Sequence, residues 1–392
     1  MKLLSIVNIH RKSDLGDASE IRTKFILTGL SKLKCDIKTI SYSLDGEDTN
    51  DPNFISLIRK KPKTKMSSIY KKILLLPILL AVSLVKNHNF SNFILVDRLP
   101  FYLVPIVFIF SFLFRKKIIW IVNEFPSKIS SEGISSLRSA IEDMSFFILG
   151  RKVCLTIVIS EKHKKVYKTY VKKKSRILVI PILMDSYEPL KFFPANTYNH
   201  KKENIIKEIV YAGAISKSNG VEILIKTSNI LKERNIPHKV LIFGPISSEY
   251  KEKLEKMITS SKLYNIVSIS KAIPNTEAIK YLNNADILVI PKLNDNRAIG
   301  YIPSKLGDYL FTGKPVIASS LGDIPTYIQH EYSGYLIPSD SEMSLANCIE
   351  KIISNYDIAK KIGANGKEIT KIFNYINQSE IIFNELNKIN HE

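Results

Sequence analysis

The sequence predicts an α/β protein of two doubly wound domains, each a parallel sheet with helices packed on its faces. Three observations lead there. Apolar strand-like runs alternate with helix-length segments from start to finish, the pattern of parallel strands joined by crossover helices. The length, 392 residues, exceeds one ordinary core. Near the middle, "DSYEPLKFFPANTYNHKKEN" (Asp185 to Asn204) loses all period and carries prolines and polar residues, so it reads as a connection between domains spanning residues 1–186 and 205–373.

In the first half the expected strands are "LLSIVNI", "IKTISYS", "NFILVD", "KIIWIVN", "CLTIVIS" and "RILVIP"; in the second they are "EIVYAG", "HKVLIFG", "NIVSIS", "DILVIP", "PVIAS" and "SGYLIP". From about Asn355 the chain reads as helices, with "IGANGKEITKIF" and "NQSEIIFNEL" holding apolar residues at helical spacing. In open α/β sheets, ligands bind beyond the carboxyl ends of the strands. Two such domains facing each other are expected to form a cleft, so the residues just after the strands are the ones to examine.

Composition narrows the partners. The net charge is +20 and unevenly placed, because residues 1–200 hold 33 Lys and Arg against 16 Asp and Glu, whereas residues 201–392 hold 24 against 21. "RKKPKTKMSSIYKK" (Arg59 to Lys72) has seven basic residues and no acid, and runs into the apolar "ILLLPILLAVSLV" (Ile73 to Val85). A basic run beside an apolar helix suits an anionic membrane surface. A second cluster lies in Lys162 to Arg176. Nucleic acid is disfavoured, since the chain has no zinc-finger, homeodomain or aromatic RNA-binding motif, although solvated surface accounts for part of the charge.

"LPFYLVPIVFIFSFLF" (Leu99 to Phe114) is also strongly apolar, yet it and Ile73 to Val85 fall short of the roughly 20 residues that cross a bilayer. Buried helices are expected, with membrane-dipping helices as the alternative. The opening "MKLLSIVNIH" reads as a first strand rather than a secretory signal. Cys35, Cys154 and Cys348 lie far apart and fit neither a disulfide framework nor a metal site, so a reducing compartment is expected.

Loops of the second half carry the candidate chemistry. After "EIVYAG", Gly213 permits a close turn, Lys217 offers a cation and Gly220 precedes a helix, a combination suited to a diphosphate. After "NIVSIS", the backbone from Lys271 to Ile273 is extended and able to pair with a nucleobase edge, before Pro274 and Thr276 open a helix. After "DILVIP" comes a long loop and then "GYIPSKLGDYLFTGKPVIASS" (Gly300 to Ser320). Here Pro303 and Ser304 are expected to start a helix, with Ser304 satisfying free amides, and Gly313 and Pro315 to stop it. Its amides favour phosphate, Lys305 adds positive charge, and Asp308, one turn after Ser304, can accept hydrogen bonds from a ribose diol.

The ordered series "YAGAISKSNGVEILI", "KVLIFGP", "VSISKAIPNTEAIKYLNNADILVIPK" and "PSKLGDYLFTGKPVIASSLGDIPTYIQHEYSGYLIPSDS", spanning about Glu208 to Phe373, resembles the donor-binding domain of the retaining GT-B glycosyltransferases of family 4 (glycosyl transferases group 1). The first half is more weakly similar. "SDLGDASEIRTKFILTGLSKL" resembles the family's glycine loop and first helix, with Gly16 at the cleft, "IIWIVNEFPS" its acceptor-side strand, and "LTIVISEKHKKVY" the following strand-to-helix step.

The resemblance implies two Rossmann-like domains: residues 1–186 binding the acceptor, completed by a last helix at about 374–392 that crosses back, and residues 205–373 binding the nucleotide-sugar donor. It places Lys217 near the diphosphate, with Ala214 where an arginine is usual. Ile273 falls at the base, Ser304 and Lys305 at the phosphates, and Asp308, usually a glutamate, at the ribose. Gly300, beside Tyr301, stands where a sugar-contacting glutamate is common. Asn123 falls where some members carry a histidine, and Glu124 beside it could orient an acceptor hydroxyl.

The expectation is therefore a retaining, metal-independent hexosyltransferase-type enzyme, with no cofactor beyond a nucleotide-sugar co-substrate, a UDP-sugar first. Lys217, Lys305 and helix amides would stabilise the leaving diphosphate. The acceptor expected is a glycan or lipid-linked glycan in bacterial surface polysaccharide synthesis, with the protein peripheral at the inner face of the cytoplasmic membrane. A non-catalytic GT-B partner that activates or scaffolds another transferase is the alternative, motivated by Gly300 and Ala214; a nucleic-acid binder is motivated by charge alone.

Overall fold

The structure is a computed structural model and describes residues 1–9, 18–44, 51–130, 136–185, 206–273 and 275–391. The chain divides into two compact units, Met1–Pro181 with Tyr375–Glu392, and Ile182–Asn374. Gly16, Pro274 and nearly all of the expected connection lie outside the described residues.

The first unit runs β1 (Lys2–Val7), α1 (Ala18–Lys32), β2 (Asp36–Ser41), β3 (Phe54–Ser56), α2 (Lys65–Tyr70), a π-helical turn (Lys71–Leu75), α3 (Leu76–Lys86), β4 (Phe93–Asp97), α4 (Val104–Leu113), β5 (Lys117–Ile121), α5 (Ser127–Ser130), α6 (Ser136–Gly150), β6 (Val153–Val158), α7 (Glu161–Tyr167) and β7 (Arg176–Val179). Its sheet is parallel, in the order β3-β2-β1-β4-β5-β6-β7. Central strands such as β4, buried at every residue, read as continuous apolar runs because helices cover both faces. Strand β3 escapes sequence reading: three residues at the sheet edge leave no alternation to detect.

The second unit runs β8 (Lys207–Ala212), α8 (Val221–Glu233), β9 (His238–Phe243), α9 (Ser248–Ser260), β10 (Val267–Ser270), α10 (Asn275–Asn284), β11 (Ile287–Ile290), α11 (Ser304–Phe311), β12 (Val316–Ser319), α12 (Ile324–Tyr327), β13 (Tyr335–Ile337), α13 (Glu342–Ser354) and α14 (Tyr356–Ile369). Its parallel sheet has the order β10-β9-β8-β11-β12-β13. The strand order reverses about β1 and about β8, which puts a crevice at the carboxyl ends of those strands. The last helix, α15 (Tyr375–His391), belongs to the first unit. It packs along α1, where a Cβ on Gly29 would meet Ser379 Oγ at 2.1 Å.

The expectation of buried helices for the two apolar stretches holds for only one side of each. Leu76, Leu80 and Leu84 of α3 are buried, whereas Ile73, Leu74, Ile78, Val82 and Val85 are exposed. In α4, Val107 and Phe110 are buried, whereas Ile109, Phe112 and Leu113 are exposed. Side chains all round the helix are apolar, but a single helix layer on a sheet buries one face only. Among the described residues, no helix is long and apolar enough to cross a membrane.

Candidate functional site

In the second unit, the candidate residues gather at the carboxyl ends of β8 and β11. Helix α11 is positioned there by Tyr309, which is fully buried: Ala212 N donates to its hydroxyl at 2.7 Å, and that hydroxyl donates to Ala212 O at 3.1 Å. One turn earlier, Lys305 Nζ donates to Tyr211 Oη at 2.9 Å and lies 4.1 Å from the centroid of the same ring. Tyr211 Oη in turn donates to Ala214 O at 2.7 Å. Lys305 is thereby held against the Gly213 turn, where φ is +137° and a Cβ would come within 2.7 Å of its ammonium. Only glycine lets that cation approach the backbone so closely.

Burial pushes the Lys305 ammonium down to about 7, with Asp308 opposing the shift. Asp308, although open to water at its surface, is pushed upward by desolvation, with Lys305 opposing. A cation pressed toward its neutral form is poised to gain from an arriving anion. The start of α11 differs from expectation. Pro303 occupies the cap position and Ser304 is the first helical residue, with no side chain capping the helix. Ser304 is therefore corrected from a cap to an exposed residue on the opening turn. Gly313 takes φ +70° just past the helix end.

Lys217 opens a single 3₁₀ turn (Lys217–Asn219) and is exposed beside Pro245, Ser247 and Tyr250. The turn is braced by Lys292, a residue the sequence reading passed over. Its ammonium, 2% exposed, pairs with Asp295 at 2.8 Å, donates to Ser218 O at 3.0 Å and also contacts Ser218 Oγ. That bracing ties the loop after β8 to the loop after β11. Gly220, with φ +73°, closes the same loop, and a Cβ there would overlap Pro291 O at 1.6 Å. Gly300 has φ +62° and is buried. Tyr301 receives a hydrogen bond on its carbonyl from Asp323 N at 3.0 Å. Ile273 is half-buried in the segment after β10.

In the first unit, the strand ends hold a polar network that sequence reading reached only at Asn123. Arg22, 4% exposed, donates to the carbonyls of Val158, Ile180 and Pro181, and to Asn123 Oδ1 at 2.6 Å. Asn123 Nδ2 donates to Ser19 Oγ at 2.6 Å and to Asp97 Oδ1 at 3.1 Å, and Thr23 donates to Asp97 Oδ2 at 2.8 Å. Desolvation lowers Arg22 to about 10 and Asp97 supports its charge. Arg22 was one cation among many in the sequence; its hydrogen-bond partners come from three separate chain segments, around Asn123, Val158 and Ile180.

His163, stacked on Phe125 at 3.8 Å, lies close by, with Nδ1 2.8 Å from Ser160 Oγ. Burial lowers it to about 3, with Arg22 adding to the shift. Beside the network opens a pocket of about 1040 Å³ walled by Trp120, Phe146, Tyr167, Leu99 and Tyr102, with Asn123 and Glu124 at its polar side. Glu124 is exposed, and its carbonyl accepts from Tyr167 Oη at 2.8 Å. Among the described residues, no cluster of His, Cys, Asp and Glu could hold a metal ion.

Comparison with known proteins gives this geometry a context. Residues 196–369 match the family model of the glycosyl transferases group 1. Among curated proteins, the chain is 26% identical over 205 residues to the amylovoran biosynthesis glycosyltransferase AmsK of Erwinia amylovora, covering 48% of this chain and 50% of AmsK. It is 24% identical over 239 residues to the capsular polysaccharide biosynthesis glycosyltransferase CapM of Staphylococcus aureus, covering 59% of each. The chain thus spans about half the length of the curated relatives it matches.

Among solved structures, sucrose-phosphate synthase from Thermosynechococcus elongatus superposes with a TM-score of 0.76 at 16% identity, over 99% of both chains. Anabaena HepE in complex with UDP superposes with a TM-score of 0.69 at 15% identity, over 99% of this chain and 100% of HepE, and HepE has also been solved with UDP-glucose. The fold is that of the GT-B glycosyltransferases.

Proposed function

We propose that this chain, whose residues 196–369 match the family model of the glycosyl transferases group 1, transfers a sugar from a nucleotide-sugar donor to a glycan or lipid-linked glycan in bacterial surface polysaccharide assembly. The observation that carries the reading is the Lys305 ammonium, held at the Gly213 turn by Tyr211 on the opening turn of an uncapped helix. A diphosphate would find there a lysine, helix amides and close backbone. The names of AmsK and CapM support the polysaccharide setting, and the UDP and UDP-glucose complexes of HepE support a uridine nucleotide.

In this reading Ser304, Lys305 and Lys217 receive the diphosphate, Asp308 the ribose diol, and Ile273 the base edge, while Gly300 and Tyr301 border the sugar. The bond from the anomeric carbon to the β-phosphate oxygen breaks as the acceptor oxygen attacks the same face. The acceptor proton passes to the departing phosphate oxygen, so configuration is retained. Lysines and helix amides, already oriented, neutralise the charge that develops there, which makes a metal ion unnecessary. Both ends of the Asn123 amide are committed to Arg22, Ser19 and Asp97, which makes Asn123 a positioning residue that sets Glu124 at the acceptor pocket.

The protein would work at the inner face of the cytoplasmic membrane. The test is a panel of UDP-, GDP- and ADP-sugars offered to the purified chain. Saturable binding of one of them, with slow donor hydrolysis, is expected; neither binding nor hydrolysis across the panel would reject the reading.

A further inference from the structure

We propose that a cationic recess at the amino ends of β5, β6 and β7 seats the phosphate headgroups of an anionic phospholipid bilayer, on which the outer faces of α3, α4 and α6 lie. The proposal rests on the membrane location just given and assigns it a surface of the first unit.

The recess has a volume of about 390 Å³ and is lined by three neighbouring turns. The turn after α4 supplies Arg115, Lys116 and Lys117, and the turn after α6 supplies Arg151 and Lys152. The segment entering β7 supplies Lys172, Lys174 and Arg176. Among the described residues no acid lines the cavity; at its edge Arg176 pairs with Glu385 of α15, and Lys117 Nζ donates to Ile389 O at 2.5 Å. Burial lowers Lys116, because desolvation disfavours its charged form. An anion at the centre would oppose that shift.

What distinguishes a bilayer from a free phosphate is the rim. Phe112 is 63% exposed, Leu113 67% and Phe147 49%. The recess cations are stacked on these same aromatics: Lys152 Nζ lies 4.8 Å from the Phe112 centroid and the Arg151 guanidinium 4.6 Å from that of Phe147. Aromatic rings beside Lys and Arg are the chemistry of a membrane–water interface. The apolar surface continues through Ile109 and Met144 to Ile78, Val82 and Val85, because α4 packs against both α3 and α6. It ends at the exposed Lys72, the last cation of the basic run seen in the sequence. Nucleic acid would leave the apolar rim uncovered, and a second copy of this +20 chain would bring like charge to the recess.

The experiment is flotation of the full chain with vesicles of phosphatidylcholine, alone or with about 30% phosphatidylglycerol. The native protein is expected to float with the anionic vesicles only. Arg151→Ala/Lys152→Ala should bind them about 25-fold more weakly, at about fivefold for each cation lost. Lys172→Ala/Lys174→Ala, in an exposed segment, should do the same, and Phe112→Ser/Leu113→Ser should abolish flotation while leaving donor hydrolysis in solution unchanged. Loss of hydrolysis would strike the proposed function; loss of charge-selective flotation strikes this proposal alone. Equal flotation of native and cation variants, or none by the native chain, would overturn it. So would recess-dependent binding of inorganic phosphate or duplex DNA without vesicle binding, each naming a different occupant.

Discussion

The Lys305 ammonium lies 2.9 Å from the Tyr211 hydroxyl and 4.1 Å from the centroid of the same ring. One aromatic residue at the end of β8 thus fixes a cation delivered by α11, 94 residues later in the chain. Removing the cation should hurt more than removing its holder. Lys305→Ala is expected to weaken UDP-sugar binding by about 10- to 150-fold, the value of a charge-assisted hydrogen bond, and Tyr211→Phe by less, since the ring remains. Isothermal titration of both variants measures the order.

With its ammonium lowered to about 7 by burial, Lys305 is expected to be partly neutral in the empty protein at neutral pH, and a diphosphate bound beside it would restore its charge. Donor binding at pH 7.5 should therefore take up protons, seen as a binding enthalpy that varies with the ionisation enthalpy of the buffer. Affinity should fall as pH rises above 7. The same enthalpy in every buffer would contradict this.

Gly213 and Gly220 separate two kinds of damage in one loop. At Gly220 an added Cβ meets a backbone oxygen, Pro291 O, at 1.6 Å, which nothing flexible can relieve. Gly220→Ala should lower stability by well over the ~1 kcal/mol of an ordinary left-handed glycine. At Gly213 the atom met is the end of Lys305, which can swing aside. Gly213→Ala is expected to keep more stability than Gly220→Ala yet bind donor almost as poorly as Lys305→Ala, read by thermal melting alongside titration.

Tyr309→Phe removes both hydrogen bonds to Ala212. Because the site is buried, a loss of about 1–3 kcal/mol is expected, with donor binding weakened through the displaced helix. Denaturant unfolding gives the first figure and titration the second.

His163 makes stability sensitive to acid. Its folded value of about 3 lies below the ordinary 6.5, so between those values the unfolded chain binds the extra proton. Stability should fall as pH drops below about 6.5, by up to ~1.4 kcal/mol per unit. His163→Leu should flatten that acid limb in denaturant titrations at pH 4–7; an unchanged slope would assign the acid lability elsewhere.

All the parallel strands but β3 were legible one by one, because a strand buried on both faces is an uninterrupted apolar run, and twelve such runs stand in the sequence. Gly213, Gly220, Lys305 and Asp308 were legible for a related reason: each sits within a few residues of a strand end or helix start, where local chemistry marks it. The Tyr211 and Tyr309 anchors, the buried Lys292 brace and the Arg22–Asn123–Asp97 network were not. Their partners lie between 3 and 159 residues away, and nothing local distinguishes a tyrosine that holds a lysine from one that fills a core. Sequence alone thus determined the element types and which loops end beside which strands. Tertiary structure decided which polar groups are buried together, because the cost of desolvating a charge depends on everything the fold packs around it.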